Sequence, residues 1–129
     1  MKKIHFILFA AAMLIVGCSK CDVYEYHVAD ADWIPYNECH YAKITIPQLT
    51  QDVVDNGIVQ VSRFYEQDGT VYYVPLPSIV TDINDDGSLV TTLVDNDYTV
   101  GEIYVYVTCS DTSFHDSPGD YSFRVAITR

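Results

Sequence analysis

Asp82-Ile83-Asn84-Asp85-Asp86-Gly87 carries oxygen-bearing side chains at alternate positions and ends in a glycine, the pattern of the first half of a calcium-binding loop. Asp82, Asn84 and Asp86 would be the ligands, because alternate oxygens converge when the glycine permits a sharp turn. The twelfth position of such a loop calls for a bidentate Glu and here holds Leu93, so an acidic, solvated hairpin turn explains the same letters. Trp33 and Tyr36, with Tyr41 nearby, form an aromatic group in a proline-containing segment. If exposed, these rings would stack on sugar faces while Asp30 and Asp32 hydrogen-bond hydroxyls; that reading requires an exposed Trp33. A lone Trp in a small sandwich also serves as the plug between its sheets. For catalysis, Ser113-Phe114-His115-Asp116-Ser117 brings Ser, His and Asp together, but relay members come from separate elements rather than one polar loop. The chain has no Gly-x-Ser-x-Gly, no His-Glu-x-x-His and no phosphate-cradling glycine loop. The expectation is a non-enzymatic protein without a cofactor, Ca²⁺ at Asp82, Asn84 and Asp86 being the one metal to test.

Cys18 belongs to a different chemistry. Met1-Lys2-Lys3 supplies a positive start, and residues 4–16 are apolar except for His5, which is the shape of a secretory signal. A spanning helix needs about 20 apolar residues, more than this run supplies. The run ends in Ile15-Val16-Gly17-Cys18, which resembles a bacterial lipobox. The resemblance implies diacylglyceryl transfer to the Cys18 thiol and cleavage after the small Gly17. One acyl chain, at about 0.8 kcal/mol per buried CH₂, holds a protein only marginally; bacterial lipoproteins usually carry three. The implied organisation is a signal peptide at 1–17, a lipidated N-terminus and tether at 18–22, and a domain at 23–129. The implied location is the bacterial cell envelope, lipid-anchored at the outer membrane, with the periplasmic or surface face open.

Cys21, Cys39 and Cys109 remain after Cys18. In an oxidising envelope Cys39–Cys109 or Cys21–Cys39 are the candidate disulfides, and sequence does not choose between them. As zinc ligands the set is weak, since adjacent Cys39 and His40 would project to opposite sides of a strand. The whole chain carries 7 basic and 18 acidic side chains, a net charge of −11. Loss of residues 1–17 removes Lys2 and Lys3, leaving 5 basic against 18 acidic, or −13. That balance argues against a nucleic-acid partner, which requires Lys and Arg to neutralise phosphates.

The elements that would position these groups read as strands. Residues 121–128 alternate cleanly, with Tyr121, Phe123, Val125 and Ile127 on one face and Ser122, Arg124, Ala126 and Thr128 on the other. Further strands are expected at 23–29, 41–47, 58–66, 70–76, 79–83, 89–94 and 101–109. Turns are expected at Gln67-Asp68-Gly69, Asp85-Asp86-Gly87 and Asp95-Asn96-Asp97. One short helix is expected at 50–56, with Thr50 as its cap and Gly57 as its stop. Tyr72-Tyr73 and the Tyr104/Tyr106 pair lie on strands, one set facing the core and another forming a surface ladder. Seven or eight short strands with frequent turns indicate an all-β, antiparallel, immunoglobulin-like β-sandwich.

The order of lipobox, Asp32-Trp33, Ile46-Pro47-Gln48-Leu49-Thr50 leading to Asn56-Gly57, Val74-Pro75-Leu76-Pro77, Tyr98-Thr99-Val100-Gly101-Glu102-Ile103 and a closing Phe123-Arg124-Val125 resembles small uncharacterised cell-envelope lipoproteins of Bacteroidetes type. The resemblance implies a β-sandwich and brings no activity with it. The functional expectation is a lipid-anchored binding or assembly module. Two specific forms are a glycan-binding accessory lipoprotein using Trp33 and Tyr36, and a fimbria-like subunit in which 121–128 is an edge strand pairing with a neighbouring envelope protein.

Overall fold

The computed structural model describes residues 20–111 and 117–129; Cys18 and the Ser113, His115 and Asp116 of the polar loop lie outside them. Nine strands form the described fold: β1 (Cys21–Val28), β2 (Ile34–Tyr36), β3 (Cys39–Thr45), β4 (Ile58–Gln67), β5 (Thr70–Pro75), β6 (Ser78–Ile83), β7 (Leu89–Thr99), β8 (Glu102–Cys109) and β9 (Tyr121–Thr128). They make two antiparallel sheets, ordered β1-β9-β4-β5 and β2-β3-β8-β7-β6. This is the expected all-β sandwich, with the short β2 as an addition. The chain crosses between the sheets at β1→β2, β3→β4, β5→β6 and β8→β9, so each sheet is built from segments far apart in sequence.

Alternation sorts each strand's side chains between core and solvent. In β8, Ile103, Val105 and Val107 are buried while Tyr104 and Tyr106 between them face outward. In β9, Phe123, Val125 and Ile127 are fully buried, as the pattern required. Ala42 and Ile44 of β3, Val61 of β4 and Val94 of β7 complete the layer between the sheets. The core is sealed at one end by the helix α1 (Gln51–Asn56), whose Val53 is 1% exposed, together with the fully buried Ile46 and Leu49. Thr50 caps this helix, its Oγ1 accepting from the Val53 amide, and Gly57 ends it by donating to the Val53 carbonyl.

Two expectations fail. Asp95-Asn96-Asp97 is not a turn: β7 runs through it, with Asp95 opposite Tyr106 and Asp97 opposite Tyr104, and the chain reverses at Val100-Gly101. Turn-forming residue types sit comfortably there because β6 covers β7 only as far as Val94, leaving 95–99 paired with β8 alone. Acidic residues on such a free margin also discourage edge-to-edge association. Second, β9 is not an edge strand. It lies between β1 and β4, with its backbone committed on both sides, so it has no free ladder to offer a neighbouring subunit.

Candidate functional site

Trp33 does not serve as a sugar platform. Its ring is 6% exposed, its Nε1 donates to the Gly119 carbonyl at 2.7 Å, and it packs edge-on against Tyr121 with ring centroids 5.6 Å apart. A buried indole whose single donor is satisfied is the inter-sheet plug. Nearby Asp32 is likewise committed locally, its Oδ2 accepting from the Ala29 amide at 2.9 Å.

Tyr36 has the opposite fate. It is 60% exposed and points to the outer side of the five-stranded sheet, where register places it opposite Cys39. On that same outer side the β3–β8 and β7–β8 ladders line up Tyr41 with Tyr106, Lys43 with Tyr104, Asp95 with Tyr106 and Asp97 with Tyr104. Tyr41 is the centre of the group. Its centroid lies 6.1 Å from Tyr36, 6.3 Å from Tyr104 and 6.4 Å from Tyr106. The first pair meets edge-on, and the other two are tilted by 49° and 43°, so the rings form a shallow, stepped surface.

The polar groups of this face are ordered as well. Tyr104 donates its hydroxyl to Glu102 Oε2 at 2.7 Å, and Lys43 Nζ reaches Glu102 Oε1 at 3.1 Å. These two donors, the Tyr104 hydroxyl first, hold the Glu102 carboxyl below its ordinary pKa. The same bond to Glu102 is the main reason the Tyr104 phenol is raised. Tyr106 is raised chiefly by burial and then by its hydrogen bond to Asp97. At neutral pH Tyr104 and Tyr106 therefore keep their phenol protons beside an ionised Glu102, and the face combines apolar ring surface with hydrogen-bond acceptors and donors.

Two of the three calcium candidates, Asn84 and Asp86, are engaged by a neighbouring serine. Asn84 and Asp86 close a turn on Ser88: Asp86 Oδ1 accepts from the Ser88 amide at 2.9 Å and its hydroxyl at 2.6 Å, and Asn84 Nδ2 donates to Ser88 Oγ at 3.1 Å. Those bonds, the hydroxyl first, keep the Asp86 carboxyl below its ordinary pKa. Asp82 lies on β6, opposite Val90. Among the described residues, no group of three or more His, Cys, Asp or Glu converges on a metal position.

All three described cysteines are free thiols. Cys39 lies opposite Thr108, one residue short of Cys109, so alternation sends the Cys39 thiol to the outer side of the sheet and Cys109 to the inner side. Cys39 Sγ donates to the Tyr36 carbonyl at 3.2 Å, and Cys21 is exposed on β1. His40 is buried at 8%. His27 Nδ1 lies 3.3 Å from Ser122 Oγ on the exposed side of the four-stranded sheet, and among the described residues no carboxylate bonds to the other nitrogen of that ring.

The sequence reading missed the convergence of Tyr41, Tyr104 and Tyr106. The available signal was the i, i+2 spacing of Tyr104 and Tyr106 and of Tyr41 and Lys43; what it lacked was the register joining β3 to β8. No protein-family model, curated protein or solved structure matches this chain.

Proposed function

We propose that this protein is a lipid-anchored, non-catalytic module of the bacterial cell envelope that binds glycan on the open face of its five-stranded sheet. The tether is Cys18, read from the lipobox and the leader before it. The observation that carries the binding half is the Tyr41-centred ring surface with its ordered carboxylates. An aromatic ring offers a flat apolar face with negative π density, which suits the weakly positive C–H face of a pyranose. Carboxylates at the rim accept from the hydroxyls that ring the sugar's edge. Tyr36, which the sequence nominated, stays in this site; Trp33 leaves it.

The supporting geometry is specific to a shallow ligand. The rings stand on three different strands of a paired sheet and are braced by Glu102 and Lys43, so they are presented without a loop having to order. Assembly through β9 loses its support, because that strand is paired on both sides.

One comparison tests both halves. Cells producing the wild type, Cys18→Ala and Tyr41→Ala are fed a labelled fatty acid, and their membranes are assayed for retention on immobilised neutral polysaccharides. Wild type and Tyr41→Ala should be labelled and Cys18→Ala unlabelled. Tyr41→Ala should bind about tenfold more weakly, the equivalent of about 1.4 kcal/mol. Labelling that survives Cys18→Ala contradicts the anchor, and retention unchanged by Tyr41→Ala contradicts the binding face.

A further inference from the structure

On the four-stranded sheet, β4 outruns its neighbour. β9 pairs with it only as far as Phe64 opposite Ser122, and Tyr65, Glu66 and Gln67 continue with β5 alone. The step leaves a cavity of about 400 Å³ bounded by Arg63, Tyr65, Asp120 and Tyr121, with the His27–Ser122 pair at its rim.

Arg63 is the unusual wall. It lies opposite Phe123, whose side chain is fully buried, so alternation turns the guanidinium inward. Its Nε is buried and has no acceptor among the described residues. Its Cζ sits 5.6 Å from the centroid of the Tyr65 ring. Of the other described cations, Lys20 and Arg129 lie beside Asp22 and Lys43 pairs with Glu102, while Arg124, like Arg63, lies over a tyrosine ring, 4.7 Å from the centroid of Tyr73. Among the described residues no carboxylate forms an ion pair with Arg63. A buried donor left without an acceptor is costly.

We propose that this cavity binds a small monocarboxylate that also carries a hydroxyl donor. Nε is the buried end of the guanidinium, so the fork offered to the cavity is its two terminal Nη groups, whose N–H donors stand side by side at the spacing of the two oxygens of one carboxylate. Tyr65 and Tyr121 supply ring surface around a planar group. Burial holds the Tyr121 phenol protonated, although Arg63 pulls the other way, so its hydroxyl remains a donor. Asp120 Oδ1 accepts from the Asp30 amide at 2.8 Å, which leaves Oδ2 to receive the ligand's hydroxyl. The same carboxylate disfavours a dianion, which would meet one positive charge and one negative charge. The cavity lies on the other sheet from the Tyr41 surface and does not depend on the glycan reading.

Calorimetric titration of the protein with D-glucuronate, D-glucose and inorganic phosphate tests this, with Arg63→Gln and Tyr41→Ala as variants and circular dichroism as the folding control. Glucuronate should saturate one site in the wild type and in Tyr41→Ala, and bind at least about tenfold more tightly than glucose or phosphate, as a bidentate charge-assisted pair requires. Arg63→Gln should lose at least that factor. Equal binding of glucose, equal binding of phosphate, or a glucuronate affinity indifferent to Arg63→Gln overturns the proposal. Should Arg63→Gln fail to fold, the Tyr65 and Tyr121 ring resonances of the wild type decide: glucuronate should shift both, and unmoved resonances overturn the proposal.

Discussion

Glu102 sets the electrostatic state of the tyrosine face. Its carboxyl is lowered by the Tyr104 hydroxyl and then by Lys43, so the folded state prefers the ionised form more than the unfolded chain does. A carboxylate of this kind stabilises the fold above its unfolded pKa, and the contribution disappears as pH falls through the lower, folded pKa. Thermal melts of wild type and Glu102→Gln should therefore differ near neutral pH and converge on acidification; a gap that does not change with pH contradicts the role given to this carboxylate. The Glu102 side chain is about a third exposed, so solvent screens its contacts and the gap should be small. At this scale the sequence was legible in part. Tyr36 was identified as a ring able to meet a ligand, but Trp33 could not be assigned to core or surface, because its anchor, the Gly119 carbonyl, lies 86 residues away. Arg63 carried no signal at all: an inward-facing cation looks the same in sequence as a surface one until strand register is known.

Elements were read most reliably where alternation is strict. The strand expected at 121–128 matches β9 residue for residue, and Thr50 and Gly57 bracket α1 as their types require. The Asp95-Asn96-Asp97 turn failed because residue type was allowed to outweigh period; Asp95 and Asp97 are two apart and share the solvent face that Tyr104 and Tyr106 share on β8. β2 was missed because a three-residue strand containing a proline shows no period. Gly57 is where helix and sheet meet most tightly. A Cβ there would stand 2.7 Å from the Thr128 carbonyl oxygen and 2.8 Å from that of Val53, both backbone atoms that cannot swing aside. Gly57→Ala should lower stability by about 1–3 kcal/mol, the usual cost of forcing extra volume into a packed site. Urea unfolding should show a reduced midpoint at unchanged slope, and a wild-type midpoint would mean that this junction yields freely.

For the whole molecule, two sheets joined by connections that cross between them give a block with two unlike faces. The five-stranded sheet shows tyrosines and carboxylates outward, and the four-stranded sheet opens beside Arg63 at the step between β4 and β9. Net charge follows the same division of labour: the acids are spread over turns, margins and the ring face, while the few cations are placed individually. No helix among the described residues is long and apolar enough to cross a membrane, and attachment is assigned to Cys18 in the proposed function. The fold class was legible because period and turn spacing are local. The proposed binding face was not, because its residues come from β2, β3, β7 and β8, which only sheet order brings together. The most direct measurement is a resonance-shift map of the protein titrated with the neutral glycan it retains best. The ring signals of Tyr36, Tyr41, Tyr104 and Tyr106 should move together while the Trp33 indole N–H stays fixed. Movement of Trp33, or shifts confined to the four-stranded sheet, would contradict the placement of the binding face.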